Sequence, residues 1–300
     1  MDLFWPLLML RWLHLWSLLV LFGSALFAIY GVPQPPRHAS CNPALGSIDR
    51  WLAAMALAAG VAWVMLAMQD MTEEIGGLFA AASWHAFFLE TGFGPIWLLR
   101  LAGLGALLLY VWRGPQRQRL DHAAVAGLSA ALLATLAWLG HAVAADGAEA
   151  YSGIFAYGCH VLAAGAWLGG LLPVSVALAK ARAGGDRQSL RASLEGFSRM
   201  GLAAVTLLLA SGLVSAGLNT AGFADLGRTT YSWVLACKVA LFAALLAMAA
   251  VNRFIFLRRL GRQVDAGPIV ALSRCVLLEQ LIGIAIVALA AGLSSLSPSG

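Results

Sequence analysis

The sequence predicts an all-α protein: a polytopic membrane bundle of eight transmembrane helices. Three observations carry this. Hydrophobic residues make up 61% of the 300 positions and charged residues 11%, less than half of the roughly 25% usual in a soluble domain. Mean hydropathy is +0.83, and a soluble chain this apolar would lack the polar groups to cover its outside. The apolar residues also fall in long Leu- and Ala-rich runs, whereas a membrane barrel shows alternating segments of roughly ten residues. Collagen, disorder, a disulfide scaffold and a cytosolic enzyme are excluded by the same arithmetic.

Apolar stretches of about twenty residues place the spans at Leu8–Tyr30, Trp51–Met71, Pro95–Trp112, Ala123–Val143, Ile154–Leu178, Met200–Leu218, Tyr231–Asn252 and Val270–Leu293. The first run reads as a span and not a cleaved signal. It is too long, and Asp2 is the only charge before Arg11. The second follows Arg50, the third ends at Arg113, the fifth at Lys180, the sixth begins after Arg199 and the seventh ends at Arg253. All eight form one integral domain, residues 1–300.

These bases sort by side. Arg37 and Arg50 follow the first span, and Arg113, Arg117 and Arg119 the third. Lys180, Arg182, Arg187, Arg191 and Arg199 follow the fifth, and Arg253, Arg258, Arg259, Arg262 and Arg274 surround the loop after the seventh. The intervening loops carry Arg228 alone, with Arg11 near the N-terminus. The positive-inside rule then turns both termini outward. The outer side collects Asp2, Asp70, Glu73, Glu74, Glu90, Asp146, Glu149 and Asp225, a surface that concentrates cations. A net charge of +5 and a pI near 9.3 are explained by loop topology and call for membrane lipid, with no nucleic acid as partner. Cys41, Cys159, Cys237 and Cys275 lack Cys-x-x-Cys spacing, which argues against a disulfide framework or zinc ribbon.

A parallel four-plus-four repeat, with halves 1–145 and 146–300, is expected from matched spacings. Thr91 and Arg100 open the third span as Thr229 and Lys238 open the seventh. His14 precedes Gly23 by nine residues in the first span, as His160 precedes Gly169 in the fifth. Such halves are related by an axis along the membrane normal, with the site at their interface.

Four of the six histidines, His14, His85, His141 and His160, fall on the outer side; His38 and His122 fall on the inner. His160 lies on the order of 10 Å deep at 1.5 Å per residue. An ionisable group within a span is a functional candidate, and imidazole ligates copper, zinc, iron and nickel. The structural alternative is a hydrogen bond to a neighbouring helix. Four histidines on one side favour a metal. Met65, Met68 and Met71 recur every third residue at the outer end of the second span. Thioether sulfur suits Cu(I), and methionine also fills cores. Arg100, Lys238 and Glu279 are charges within spans that pair, line a polar path or, for the bases, snorkel to the headgroups. There is no Walker A motif, nucleotide loop or nucleophile constellation, so no enzyme is expected.

Further residues form a pattern. Gly140-His141-Ala142 with Gly147 ends the fourth span. The fifth reads His160-x6-Trp167-Leu168-Gly169-Gly170-Leu171, and the sixth has Phe197-Ser198-Arg199 and Ser211-Gly212. The seventh carries Thr230-Tyr231, Lys238 and Asn252-Arg253. Together they resemble the copper resistance protein D (CopD) family of bacterial inner-membrane proteins. The resemblance implies eight helices, copper moving from periplasm to cytoplasm, and a periplasmic copper-binding partner of the CopC type. His141 and His160 occupy its motif positions; His14 fits less closely. His85 and the methionines rest on position and chemistry alone. The reading is a copper transporter, an importer, with Cu(I) or Cu(II) held by His14, His85, His141 and His160, assisted by Met68 and Met71. The alternatives are a membrane b-type cytochrome with haem between His141 and His160, or a scaffold that inserts copper into another membrane protein.

Overall fold

The computed structural model describes residues 3–31, 43–72, 75–113, 119–139, 147–218, 229–256 and 267–296. They form α1 (Phe4–Tyr30), α2 (Pro43–Thr72), a short α3 (Ala81–His85), α4 (Gly94–Trp112), α5 (Arg119–Ala134), α6 (Ala148–Ala164), α7 (Leu171–Arg182), α8 (Arg187–Leu218), α9 (Thr230–Val251) and α10 (Gly267–Leu293). Eight helical stretches are long and apolar enough to cross a membrane; α6 and α7 together make the fifth. The fold is a polytopic helical bundle.

Helix α1 is apolar on every side and sits at the centre, as such a helix must. Leu18, Leu19, Leu21 and Phe22 are buried in sequence along it. It packs on α2, α5, α10 and the fifth span. The fifth span is the second central element. It packs on α8 through α6 and on α10 through α7. Between α6 and α7 the chain widens into a π-turn over Gly165–Gly169. Pro173 lies four residues beyond Gly169 and has no N–H to offer that carbonyl, so regular helix cannot run through this point.

The two central spans cross backbone to backbone. A Cβ on Gly23 would lie 2.5 Å from Gly169 C and from Gly170 N, and would collide with Gly165 O; a Cβ on Gly169 would collide with the Leu19 carbonyl. Small residues allow helix backbones in a membrane to approach in this way. Both glycines stand nine residues beyond a histidine, so His14 and His160 lie in the same direction from the crossing, each about 13 Å along its helix.

Neighbour relations run in parallel. α1 packs on α2 and α5 as the fifth span packs on α8 and α10. Thr91 and Thr229 each begin a span, accepting hydrogen bonds from Gly94 N at 3.1 Å and Ser232 N at 3.2 Å. The halves differ in one respect. α4 packs along α2, whereas α9 leans on α10, and its hydrogen-bonded tie to α8 is at one end, from Arg253 Nη1 to Ser198 O at 2.8 Å.

Arg11 Nη1 donates to Ser295 Oγ at 2.5 Å, which puts the N-terminal end of α1 beside the C-terminal end of α10. These two helix ends therefore share one face of the bundle, here termed the terminal face. The turn joining α7 to α8 lies at the other. Gly184 adopts φ +93° there, a conformation suited to glycine. Asp186 then accepts from Gln188 N at 2.9 Å and Ser189 N at 3.2 Å, starting α8. These bonds to the ionised form hold its carboxyl below the usual range.

Several helices overrun the sequence boundaries, because polar residues such as Arg187 and Gln188 continue a helix outside the apolar run. The fourth span is helical to Leu139, where α5 tightens into a 3-10 turn over Thr135–Leu139; Val143 lies outside the described residues.

The glycine crossing generates a stability test. Gly23→Ala and Gly169→Ala should each destabilise the folded protein by about 1–3 kcal/mol, the cost of overpacking a contact that cannot yield. Gly105→Ala, where nothing lies within 4 Å of the added carbon, should be neutral or slightly stabilising. Thermal unfolding in detergent micelles measures all three.

Candidate metal site

His14 is fully buried on α1. Its Nδ1 lies 2.8 Å from the Ala56 carbonyl oxygen of α2. A carbonyl only accepts, so Nδ1 carries the proton and the Nε2 lone pair points the other way. That lone pair accepts from Arg100 Nη2 of α4. Gly60 makes room for the ring: a Cβ there would stand 3.2 Å from His14 Nδ1. Trp63 meets the ring edge to face, with centroids 5.9 Å apart, and Trp97 meets Trp63 at 4.9 Å.

Arg100 is also fully buried. Its Nη1 donates to Leu132 O at 2.6 Å and to Thr135 Oγ1 at 2.5 Å. These acceptors lie where α5 gives way to the 3-10 turn, and Thr135 Oγ1 itself donates to Leu132 O at 2.8 Å. The guanidinium lies over the Trp97 ring, 5.4 Å from its centroid. No carboxylate is hydrogen-bonded to it among the described residues, and its Nε is buried without a partner. Arg100 therefore does not snorkel to the surface; the interior holds it.

His160 repeats half of this arrangement. Its Nδ1 lies 3.0 Å from Ser211 Oγ of α8. Ser211 Oγ donates its own proton to Leu207 O at 2.6 Å, so it accepts from Nδ1–H and the lone pair again resides on Nε2. Here Nε2 has no hydrogen-bonding partner among the described residues. Lys238 of α9 lies within electrostatic reach of the ring, but makes no hydrogen bond among those residues. His160 is half-buried. Tyr157, one turn earlier on α6, lies within electrostatic reach of Arg100, so the His160 end of the fifth span borders the His14 cluster.

The remaining candidates are dispersed. His85 is exposed at the end of α3, with Nδ1 3.2 Å from Glu90 Oε1. His141 lies outside the described residues, as do His38, Cys41, Glu73 and Glu74. Met68 is fully buried in a small cluster with Val64, Phe87 and Trp97. Met65 and Met71 are exposed. The methionine stripe thus does not share one face: a three-residue step lags a helical turn by about 60°, so its ends diverge by about 120°. No group of three or more His, Cys, Asp or Glu stands together among the described residues. Nearer the middle of α10, Glu279 is buried and accepts from Asn252 Nδ2 at 2.6 Å; it does not pair with Arg100 or Lys238.

Sequence reasoning missed the groups that orient the rings. The Ala56 carbonyl leaves no mark in sequence. Ser211 stood in the Ser211-Gly212 motif, but its partner became visible only when α6 and α8 packed. Thr135, Trp63 and Trp97 belong with Arg100 through tertiary packing alone.

The two histidines should respond differently to removal. His14→Ala leaves the Ala56 carbonyl and a buried guanidinium short of a partner, and should destabilise the protein by about 3 kcal/mol. His160→Ala should cost under about 1 kcal/mol, since Ser211 keeps its bond to Leu207. Unfolding midpoints of the purified variants test the order.

Comparison with known proteins gives a consistent picture. Residues 1–151 match the family described as copper resistance protein D-like, N-terminal domain, and residues 191–293 match copper resistance protein D. Copper resistance protein D of Pseudomonas syringae pv. tomato is 27% identical over 94% of this chain and 93% of its own. Inner membrane protein YebZ of Escherichia coli strain K12 is 30% identical over 96% and 97%. Copper transport protein CutJ of Bacillus subtilis strain 168 is 28% identical over 74% of this chain and 40% of its own. No solved structure matches the chain. Eight apolar helices, the matched residues across both halves and the full-length similarity to YebZ lead to one conclusion: the chain belongs to the copper resistance protein D family.

Proposed function

We propose that this protein carries copper across the bacterial inner membrane, from periplasm to cytoplasm, as a carrier and not an enzyme. The observation that supports this best is His160. A neighbouring helix fixes its Nδ1 proton, no described residue hydrogen-bonds its Nε2, and the ring is half-buried within a span. Orientation of a ligating imidazole through its far nitrogen is the usual second-shell arrangement at metal sites. The family membership supplies the metal: relatives are named for copper resistance and copper transport.

The terminal face is the periplasmic one in this reading. Lys180, Arg182, Arg187, Arg191 and Arg199 gather at the opposite face, in and around the α7–α8 turn, and basic loops stay in the cytoplasm. His160 and His14 then lie toward the periplasm, where a copper-binding protein of the CopC type would deliver the ion. An imidazole serves either Cu(I) or Cu(II). His141 and His85 are further ligands on the same side in this scheme, and Met68 borders the aromatic cluster beneath them.

Two measurements test the reading. His160→Ala should abolish most copper-dependent accumulation in cells, and Ser211→Ala should weaken copper affinity of the purified protein by about 10–100-fold. His38→Ala and His122→Ala should leave both near the wild-type level, and equal losses at every histidine would contradict a site. Reporter fusions placed after Leu296 and near Arg187 should report periplasm and cytoplasm respectively. A cytoplasmic reading at Leu296 would reverse the direction proposed.

A further inference from the structure

We propose that Glu279 and Asn252 form a proton-binding site between α10 and α9: the Glu279 carboxyl takes up a proton and donates it to Asn252 Oδ1, closing a two-bond ring with the bond from Asn252 Nδ2. The site stands apart from the histidines and does not depend on the copper reading.

Three observations carry it. Glu279 is 2% exposed within a span, and an ionisable group in such a place is a functional candidate. Asn252 Nδ2 donates to its Oε1 at 2.6 Å, and no other hydrogen bond reaches the carboxyl among the described residues. Asn252 Oδ1 is itself buried with no hydrogen-bonding partner, and a buried acceptor left unpaired is costly. An ionised carboxylate only accepts, so it cannot serve that oxygen; a carboxylic acid carries one O–H and can. Asn252 also opens a π-turn over Asn252–Phe256, a local widening that recurs at functional sites.

The surroundings favour the neutral acid. Val276, one turn before Glu279, and Leu245, two turns before Asn252, are buried on the same helix faces. The charged and titratable groups of the elements packed on α10 are engaged or placed elsewhere. Arg253 donates to Ser198 O and Oγ, and Lys180 and Arg182 are exposed at the end of α7. On α9, Tyr231, Cys237 and Lys238 lie at least fourteen residues before Asn252, about 21 Å or more along the helix. On α1, Arg11 is bonded to Ser295, His14 to Ala56 and Arg100, and Tyr30 lies against Gly196 of α8. On α10 itself Arg274 is exposed, about 8 Å along the axis. Cys275, one turn before Glu279, is within its electrostatic reach, and a thiol brings no positive charge. A metal ion suits the pair less well. It would find one carboxylate and one amide oxygen, and no group of three or more His, Cys, Asp or Glu stands together among the described residues. A proton needs only the two oxygens.

The carboxylate takes one proton from water, an O–H bond forms at the oxygen that Nδ2 does not use, and nothing is oxidised or reduced. Loss of the proton leaves one hydrogen bond where there were two. Protonation therefore sets how firmly α9 is held to α10, while Arg253 keeps its tie to α8.

Infrared spectroscopy tests this on the full chain in detergent micelles, stripped of metal by a chelator and carrying glutamate 13C-labelled at the side-chain carboxyl. Exposed glutamates are ionised near neutral pH, so a carboxylic-acid carbonyl band there reports a proton on a buried one. The wild type should show such a band, moving with the label, and Glu279→Gln should lose it. Asn252→Ala should move the band to higher frequency or abolish it, because the O–H has lost its acceptor. No band in the wild type, a band that survives Glu279→Gln, or one that Asn252→Ala leaves unmoved each overturns the proposal. So does a wild-type band that disappears when sodium or copper ions are restored, since a metal would then hold the site. Where Glu279→Gln does not fold, Asn252→Ala decides; where neither folds, the labelled wild-type band decides alone. The copper reading stands or falls separately from all of these results.

Discussion

Helices can bring their backbones into contact only where neither carries a side chain at the crossing, and Gly23 and Gly169 meet that condition at the centre of the bundle. Every other packing relation is arranged around that contact. α1 and the fifth span each gather a set of helices from their own half, and each also touches a helix of the other. The π-turn over Gly165–Gly169 belongs to the same constraint. Pro173 denies Gly169 its usual helical partner, and the widened turn is where the glycine meets α1. Moving the crossing by one residue along either helix would rotate His14 or His160 by about 100° away from its partner.

Above the crossing, burial decides which polar groups can exist. A guanidinium inside a membrane protein needs acceptors for its donors, and Arg100 finds a backbone carbonyl, a threonine hydroxyl and an imidazole lone pair. The aromatic faces of Trp97 and Trp63 fill the remaining space with electron-rich surface that tolerates a cation. On the other side of the crossing the same pattern is less filled. Ser211 orients His160, but Lys238 closes no bond upon it, and α9 stands away from α8. In one half Arg100 takes the imidazole lone pair, and in the other no described residue hydrogen-bonds it.

The sequence alone made the membrane fold legible, because about twenty consecutive apolar residues have few other uses. It also singled out Arg100, His14 and His160, since charged or imidazole groups are conspicuous in such runs. The matched nine-residue spacing of His14 to Gly23 and His160 to Gly169 pointed to a meeting of the halves around the histidines, whereas the backbones cross at the glycines. The partners of those residues were not legible. The Ala56 carbonyl has no side chain to betray it, Thr135 matters only because α5 tightens there, and Ser211 is one small polar residue among many. Of the three methionines the sequence reading offered as ligands or core fillers, only the middle one is buried, with one exposed methionine about 60° to either side of it. Met68 turned to the core and Met71 to the outside.

The contact of Arg11 with Ser295 has a consequence for assembly. The N-terminal end of α1, the helix that carries His14, and the C-terminal end of α10 lie side by side. A soluble domain joined to either end would hang over the same terminal face, and its linker would need to span only a short gap. Tethering of this kind raises the local concentration of a donor to the millimolar range for a short flexible link. Encounter of such a domain with that face would then be an intramolecular event, whichever end bore the fusion.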